Sequence, residues 1–228
     1  MNMKYAVLAV IMTLSAGLSA QEWVDYQVDS VFTISLPDNY ELAEVKGQHV
    51  ITAQLDYGVI VITVLDNSGG FELPINSEKD LLKAYEDMSS GFSNGVKGEI
   101  ISYEVIEMSG LKLAKMMISG LVYGEQQIAD CLMLVANGKL YGISLWVMPW
   151  EFELIASVRD RFFSSMRLAP SLTFESQMYT PSEDSRAYAL GQKVGLLLFC
   201  AVIVVLTLFF IFRMKEKKKR EGADLPKA

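Results

Sequence analysis

Few side chains in this sequence are of types that do chemistry, and their spacing limits what chemistry is open to them. His49 is the single histidine, set beside Gly47 and Gln48 at the start of an extended segment. An imidazole with no serine, cysteine or paired carboxylate near it in sequence is at most a general base awaiting a constellation. The plainer reading is a surface or half-buried strand residue. Ser109-Gly110-Leu111-Lys112 spells a Ser-x-x-Lys string. In penicillin-recognising enzymes that serine needs a helix N-terminus, whereas here the string falls in a hairpin turn and the companion motifs are missing. Asp66-Asn67-Ser68-Gly69-Gly70 hints at calcium but lacks alternating ligand positions and a closing glutamate, so it reads as a turn.

Met108, Met116, Met117, Met133 and Met148 crowd one stretch of chain, and thioethers suit Cu(I). Their mixed parity and apolar company make them core filling instead. Cys131 sits in the apolar run CLMLV and reads as a small buried hydrophobe. One histidine and two cysteines exclude a conventional zinc finger, an iron–sulfur protein and a histidine-cluster metal site. No glycine loop of the phosphate-cradling kind is present. With no nucleophile–base pair to assemble, the sequence reads as non-enzymatic, with no cofactor or metal. The remaining candidates are aromatic: Tyr123, Tyr141, Trp146 and Trp150 gather near strand ends and the last helix of the domain. They are either the edge of a core or a docking patch for a protein.

The elements that would position these residues are mostly of period two. Phe32, Ile34 and Leu36 alternate inward on a strand that stops at Pro37. Residues 49–55 and 59–65 read as a hairpin through Asp56-Tyr57-Gly58. A helix begins at Ser77, with Asp80 at capping-box spacing, then Leu81, Tyr85, Met88 and Phe92 on one face and Gly91 or Gly95 at its end. A four-strand meander follows, turning at Ser109-Gly110, Gly124 and Asn137-Gly138, the last being the strongest hairpin signal in the chain. Lys112 and Lys115 fall on opposite parities, which predicts a bulge or a frayed start there. A final helix is expected to open at Pro149, with Leu154, Ile155, Val158, Phe162 and Met166 as its apolar stripe. The fold class is α+β, an antiparallel sheet with helices packed on it, large enough to bury a core without staples.

This order of elements, with the opening strand FTISLP, the mid-chain helix, the run MSGLKLAKMMISGLVYGEQQIADCLMLVANGKLYGISLWV and the closing RFFSSMRL, resembles the PsbP-like family over residues 29–168. The resemblance implies a non-enzymatic domain that docks on, or helps to assemble, a larger complex. Nothing in the chain supports a photosynthetic role.

Two apolar runs frame the domain. Residues 1–20 have Lys4, an apolar run and a small residue at Ala20, the pattern of a secretory signal peptide, with cleavage after Gly17 as an alternative. No cysteine follows that run, so a lipoprotein anchor is not available. Val194 to Phe212 is 19 residues without a charge, which at about 1.5 Å per residue spans roughly 28 Å, close to one hydrocarbon core. Arg213, Lys215, Lys217, Lys218, Lys219 and Arg220 follow it as a stop-transfer cluster and place that end in the cytoplasm. The expected order is signal peptide 1–20, exported domain 21–168, linker 169–180, helical stalk 181–193, transmembrane helix 194–212 and basic tail 213–228. Gly191 and Gly195 offer a weak dimer face at the outer edge of the span.

Between Gln21 and Leu190 there are 24 acidic and 11 basic side chains, a balance of 11 − 24 = −13. That balance argues against nucleic acid, whose phosphates need clustered lysine and arginine. The basic tail is better suited to lipid headgroups. The sequence therefore reads as a single-pass protein of the cytoplasmic membrane, its domain outside (a bacterial periplasm) and its C-terminus inside, serving to bind or assemble a protein partner. The alternative is a small-ligand-binding sensor or transporter accessory. A hydrolase ranks last.

Overall fold

A computed structural model describes residues 21–45, 48–65, 74–122 and 124–178. The signal peptide, Asp66–Gly70, Tyr123, the stalk, the span, Gly191, Gly195 and the basic tail lie outside the described residues. Among the described residues, no helix is long and apolar enough to cross a membrane.

The strands are β1 (Trp23–Gln27), β2 (Phe32–Pro37), β3 (Glu41–Val45), β4 (Gln48–Leu55), β5 (Gly58–Leu65), β6 (Glu99–Met108), β7 (Leu111–Val122), β8 (Glu125–Ala136), β9 (Lys139–Val147) and β10 (Arg167–Leu168). The helices are α1 (Glu78–Gly95) and α2 (Ala156–Ser164), with short 3-10 turns at Pro149–Glu151 and Phe174–Gln177. All pairings are antiparallel. They form two sheets, not the one that the sequence pattern implied: a seven-stranded sheet in the order β3-β4-β5-β9-β8-β7-β6 and a three-stranded one, β1-β2-β10.

The large sheet is buried on both faces, and alternation sorts its residues between two cores. One face carries Val59, Val61, Met116, Ile118, Cys131, Met133 and Trp146 against Leu81, Tyr85, Met88 and Phe92 of α1. The other carries Ile60, Ile62, Leu132, Leu134, Tyr141 and Ile143 against Phe32, Ile34 and Leu36 of the small sheet and Phe162 of α2. The expected inward residues of β2 and α1 are thus buried. Apolar surface taken from water on two faces is what makes β8 and β9 near-continuous hydrophobic runs.

The Ser77 hydroxyl caps α1 by accepting from the Asp80 N–H at 3.2 Å, and the Asp80 carboxylate in turn accepts from the Asn76 N–H at 3.2 Å. Gly95 is the last helical residue, and Lys97 takes the positive φ beyond it. Both residues of Ser109-Gly110 and of Asn137-Gly138 have positive φ, as tight two-residue hairpins require. The register with β6 is regular through Lys112 and Lys115, so no bulge lies there, but β7 pairs with β8 only from Ala114 onward, which is the frayed start that was the other expectation. The bulge lies instead on β6 at Ile101, between the pairs of Ile100 and Ser102. The pleat of a regular strand points Lys112 and Lys115 to opposite faces, where each meets its own carboxylate, Glu78 at 3.0 Å and Glu104 at 2.8 Å. The segment after Pro149 also differs from expectation. A 3-10 turn precedes α2, and Leu154 is exposed rather than part of a buried stripe.

The segment expected as a linker packs on the domain from Ala169 to Met178: Leu172 is buried, Gln177 is wholly so, and the Asn137 N–H donates to the Ser176 carbonyl at 2.6 Å. The chain therefore leaves the described domain beside the Ser109-Gly110 and Asn137-Gly138 turns.

Candidate docking surface

The end of the sheet opposite that exit carries four of the eight exposed large apolar side chains among the described residues, Tyr57, Leu121, Trp150 and Leu154. It is formed by the Asp56-Tyr57 turn, the end of β7 and start of β8, and the chain after Val147, which pairs with Ile128. From Ile128 to Val135 is seven steps along β8, or about 23 Å at a strand's rise, so the two ends are well separated. At this far end Pro149 starts the 3-10 turn and Glu151 is buried. Ile155 anchors the chain in the core below, leaving Trp150 72% and Leu154 65% exposed on the outside of the turn. Leu121, 45% exposed at the end of β7, and Tyr57, 49% exposed in the β4–β5 turn, lie at the same end.

The turn that presents Trp150 and Leu154 is held from behind. The Arg159 guanidinium stacks 4.5 Å from the centre of the Phe152 ring and lies 3.5 Å from the Asp130 carboxylate. Burial raises the pKa of Asp130, with Arg159 and Lys115 acting against it. Exposed carboxylates surround this end, those of Glu22, Asp38, Asp56, Glu99, Glu125 and Glu153, with Lys97 among them. A bare tryptophan and leucine ringed by carboxylates suit a protein surface bearing an apolar knob and basic rim groups.

Of the four aromatics expected as a docking patch, the structure brings only Trp150 to the surface, and Tyr123 lies outside the described residues. Tyr141 and Trp146 are both fully buried, on opposite faces of the large sheet. The Trp146 indole N–H donates to the Ser144 hydroxyl at 2.9 Å, and the ring packs 5.9 Å from that of Phe92. The Tyr141 hydroxyl donates to Asp29 at 2.7 Å, and burial raises its pKa. Both are therefore core residues and not part of a patch. Leu154 and Leu121 were the members that the sequence did not disclose, since an apolar residue at helical or strand spacing looks alike whether covered or bare.

The other chemistry-bearing residues stay apart. His49 is exposed on β4, opposite Glu44 and Val64. Ser109 sits in its hairpin turn and Lys112 on the strand after it, bound to Glu78. Cys131 is buried, which pushes the pKa of its thiol up and away from the reactive thiolate. Met116, Met133 and Met148 are core side chains. Among the described residues, no three histidine, cysteine, aspartate or glutamate side chains are grouped to hold a metal ion.

No family model and no curated protein matches the chain. The solved structures to which it is similar include cyanobacterial PsbP from Synechocystis sp. PCC 6803, at 16% identity and a TM-score of 0.47, over 67% of this chain and 95% of that one. LpqN of Mycobacterium tuberculosis, described as involved in cell envelope biogenesis, is similar at 10% identity and 0.42, over 65% and 91%. The Saccharomyces cerevisiae Ran-binding protein Mog1p is similar at 10% identity and 0.41, over 70% and 100%.

Proposed function

We propose that this chain is a non-enzymatic, membrane-tethered module that binds a protein partner outside the cytoplasm through the Trp150 end of its domain. The observation that carries the reading is the exposure of both Trp150 and Leu154 on the turn before α2, at the end farthest from where the chain leaves toward residues 194–212. A tether there would hold the docking end outward. The sequence supplies the rest: an export signal, one apolar span and six cations beyond it. The space between sheet and α1 is filled by Tyr85, Met88, Phe92 and Trp146, which favours docking over a small ligand held between sheet and helix. The acidic rim favours a partner with basic groups around its contact.

The test is a photocrosslinking residue at position 150 of the full-length protein in its native membranes. The expected result is one discrete adduct to a second protein, accessible to protease from outside and lost on Leu154→Ser. Adducts to lipid, or none at all, would overturn the docking reading. Protease that reaches the lysine-rich tail but not the domain in intact spheroplasts would overturn the topology.

A further inference from the structure

We propose that the free edge of β6 accepts a cation-bearing extended strand from a partner protein. This second docking surface goes beyond the Trp150 end.

Among the described residues β6 closes one side of the large sheet and pairs with β7 alone, so one row of its backbone N–H and C=O groups has no described strand beside it. At ten residues it is twice the length of β3, the five-residue strand on the opposite edge. Proteins commonly guard an edge by making it short, by covering it, or with charges and bulges. β6 has its glutamates and one bulge, yet among the described residues it is neither short nor covered, and Ile100, Ile101 and Val105 are exposed. The bulge at Ile101 ends the regular stretch on one side, leaving Ser102–Met108 in unbroken register with Met117–Leu111. That is length enough for an added strand to pair with a continuous edge.

Charge selects the occupant. β6 carries exposed Glu99, Glu104 and Glu107 and no cation of its own. Glu104 and Glu107 face opposite sides of the strand, one towards Lys115 and the other opposite Lys112, so carboxylates flank the edge on both faces. A second copy pairing edge to edge would bring six carboxylates together on two strands, and like charges across a ladder are destabilising. A strand that alternates apolar residues with lysine or arginine sets its apolar row beside Tyr103 and Val105 on one face and its cations beside Glu104 on the other. The edge is thus closed to self-association and open to a basic strand.

The experiment uses the full-length protein in lipid nanodiscs and a short synthetic peptide alternating lysine and valine, with a glutamate–valine peptide as counter-probe. The lysine peptide should slow amide exchange across residues 102–108 by about tenfold or more while leaving α2 unchanged. Glu104→Lys should reverse the preference toward the glutamate peptide. Trp150→Ala should leave the β6 protection intact, which separates this surface from the Trp150 end. Equal protection by both peptides, or none, would overturn the proposal. So would protection that rises with protein concentration in the absence of peptide, which would mean a second copy, or a photocrosslink from position 105 back to residues 179–228 of the same chain.

Discussion

The Gln177 side-chain amide donates to the Tyr85 hydroxyl at 3.3 Å, and together these two side chains replace a missing rung of the large sheet. The β7–β8 ladder stops at Ala114 and Met133. Beyond it Lys112 and Val135 have parted, and Gln177 fills the gap. Its oxygen accepts from the Lys112 N–H at 2.8 Å, and its nitrogen donates to the carbonyls of Lys112 at 2.8 Å and Val135 at 3.1 Å. The Val135 N–H donates to Tyr85 at 3.0 Å, whose own hydroxyl donates to Lys112 at 2.8 Å. A primary amide offers the same donor and acceptor as a peptide group, which is why glutamine fits where a strand would otherwise be needed. The last described residues of the chain are thereby part of the sheet's hydrogen bonding.

Gln177→Ala should accordingly destabilise the protein by about 2–4 kcal/mol, because it strands several buried backbone groups rather than deleting one contact. Tyr85→Phe, which orphans the Val135 N–H, should cost about 1–3 kcal/mol. Because both substitutions act on one network, the double variant should fall short of their sum. Urea unfolding followed by tryptophan fluorescence measures all three. A change within 0.5 kcal/mol for Gln177→Ala, roughly the scatter expected of surface sites, would show that the plug is not structural.

Asp29 should make the domain acid-sensitive. Burial pushes its pKa up, but hydrogen bonds from the Tyr141 hydroxyl, the Val31 N–H and Lys139 outweigh burial and hold it below the ordinary carboxylate value. A group whose folded pKa is depressed lends stability above the unfolded value of about 3.9 and loses it as pH falls through the folded one. Asp130 works the other way, its raised pKa favouring the fold at lower pH. Wild type minus Asp29→Asn isolates the first effect: the difference in unfolding free energy should be constant near neutrality and shrink below about pH 4. A difference that stays flat down to pH 2 would mean that the carboxylate's charge is not what holds Tyr141 and Lys139.

How much of this was legible in the sequence depended on whether a residue's partner was near it in the chain. The Ser77–Asp80 cap, the stripe of α1 and the two hairpin turns are local, and each stands where its residues put it. β1 and β3 escaped notice because partly exposed edge strands such as Glu41–Val45 need no apolar alternation. Tyr141 and Trp146 were left open between core edge and docking patch because a sheet covered on both faces leaves no polar side by which to tell the two apart. Gln177 was invisible for a different reason: its value lies in a gap between Lys112 and Val135, far back in sequence. Trp150 is exposed, and Leu154, exposed four residues later, was placed inside because the 3-10 turn before α2 shifts the helical phase.

The two tryptophans that the sequence grouped together should behave as opposites. Trp146→Ala removes a ring packed against Phe92 and should cost about 3–5 kcal/mol. Trp150→Ala removes a mostly exposed ring and should leave stability within about 0.5 kcal/mol while abolishing a crosslink to the partner from a photoreactive residue at position 121. Comparing unfolding midpoints with crosslinking yield tests both at once. Comparable destabilisation by the two would mean that Trp150 serves the core.

Gly98 and Gly110 separate two reasons for glycine. A Cβ on Gly98 would lie 2.1 Å from the Ser119 carbonyl oxygen, where the chain leaving α1 crosses β7 and the Leu121 N–H donates to the Val96 carbonyl at 2.9 Å. At Gly110 there is open space, and the demand is a φ of +79°. Gly110→Ala should therefore cost roughly 1 kcal/mol of left-handed strain, and Gly110→Asn should recover most of it, because asparagine tolerates that region. At Gly98 the obstacle is backbone, so Ala and Asn should be equally damaging, at about 1–3 kcal/mol or more. If asparagine rescued position 98 as well, the close approach of the α1 exit to β7 would not be the constraint that keeps glycine there.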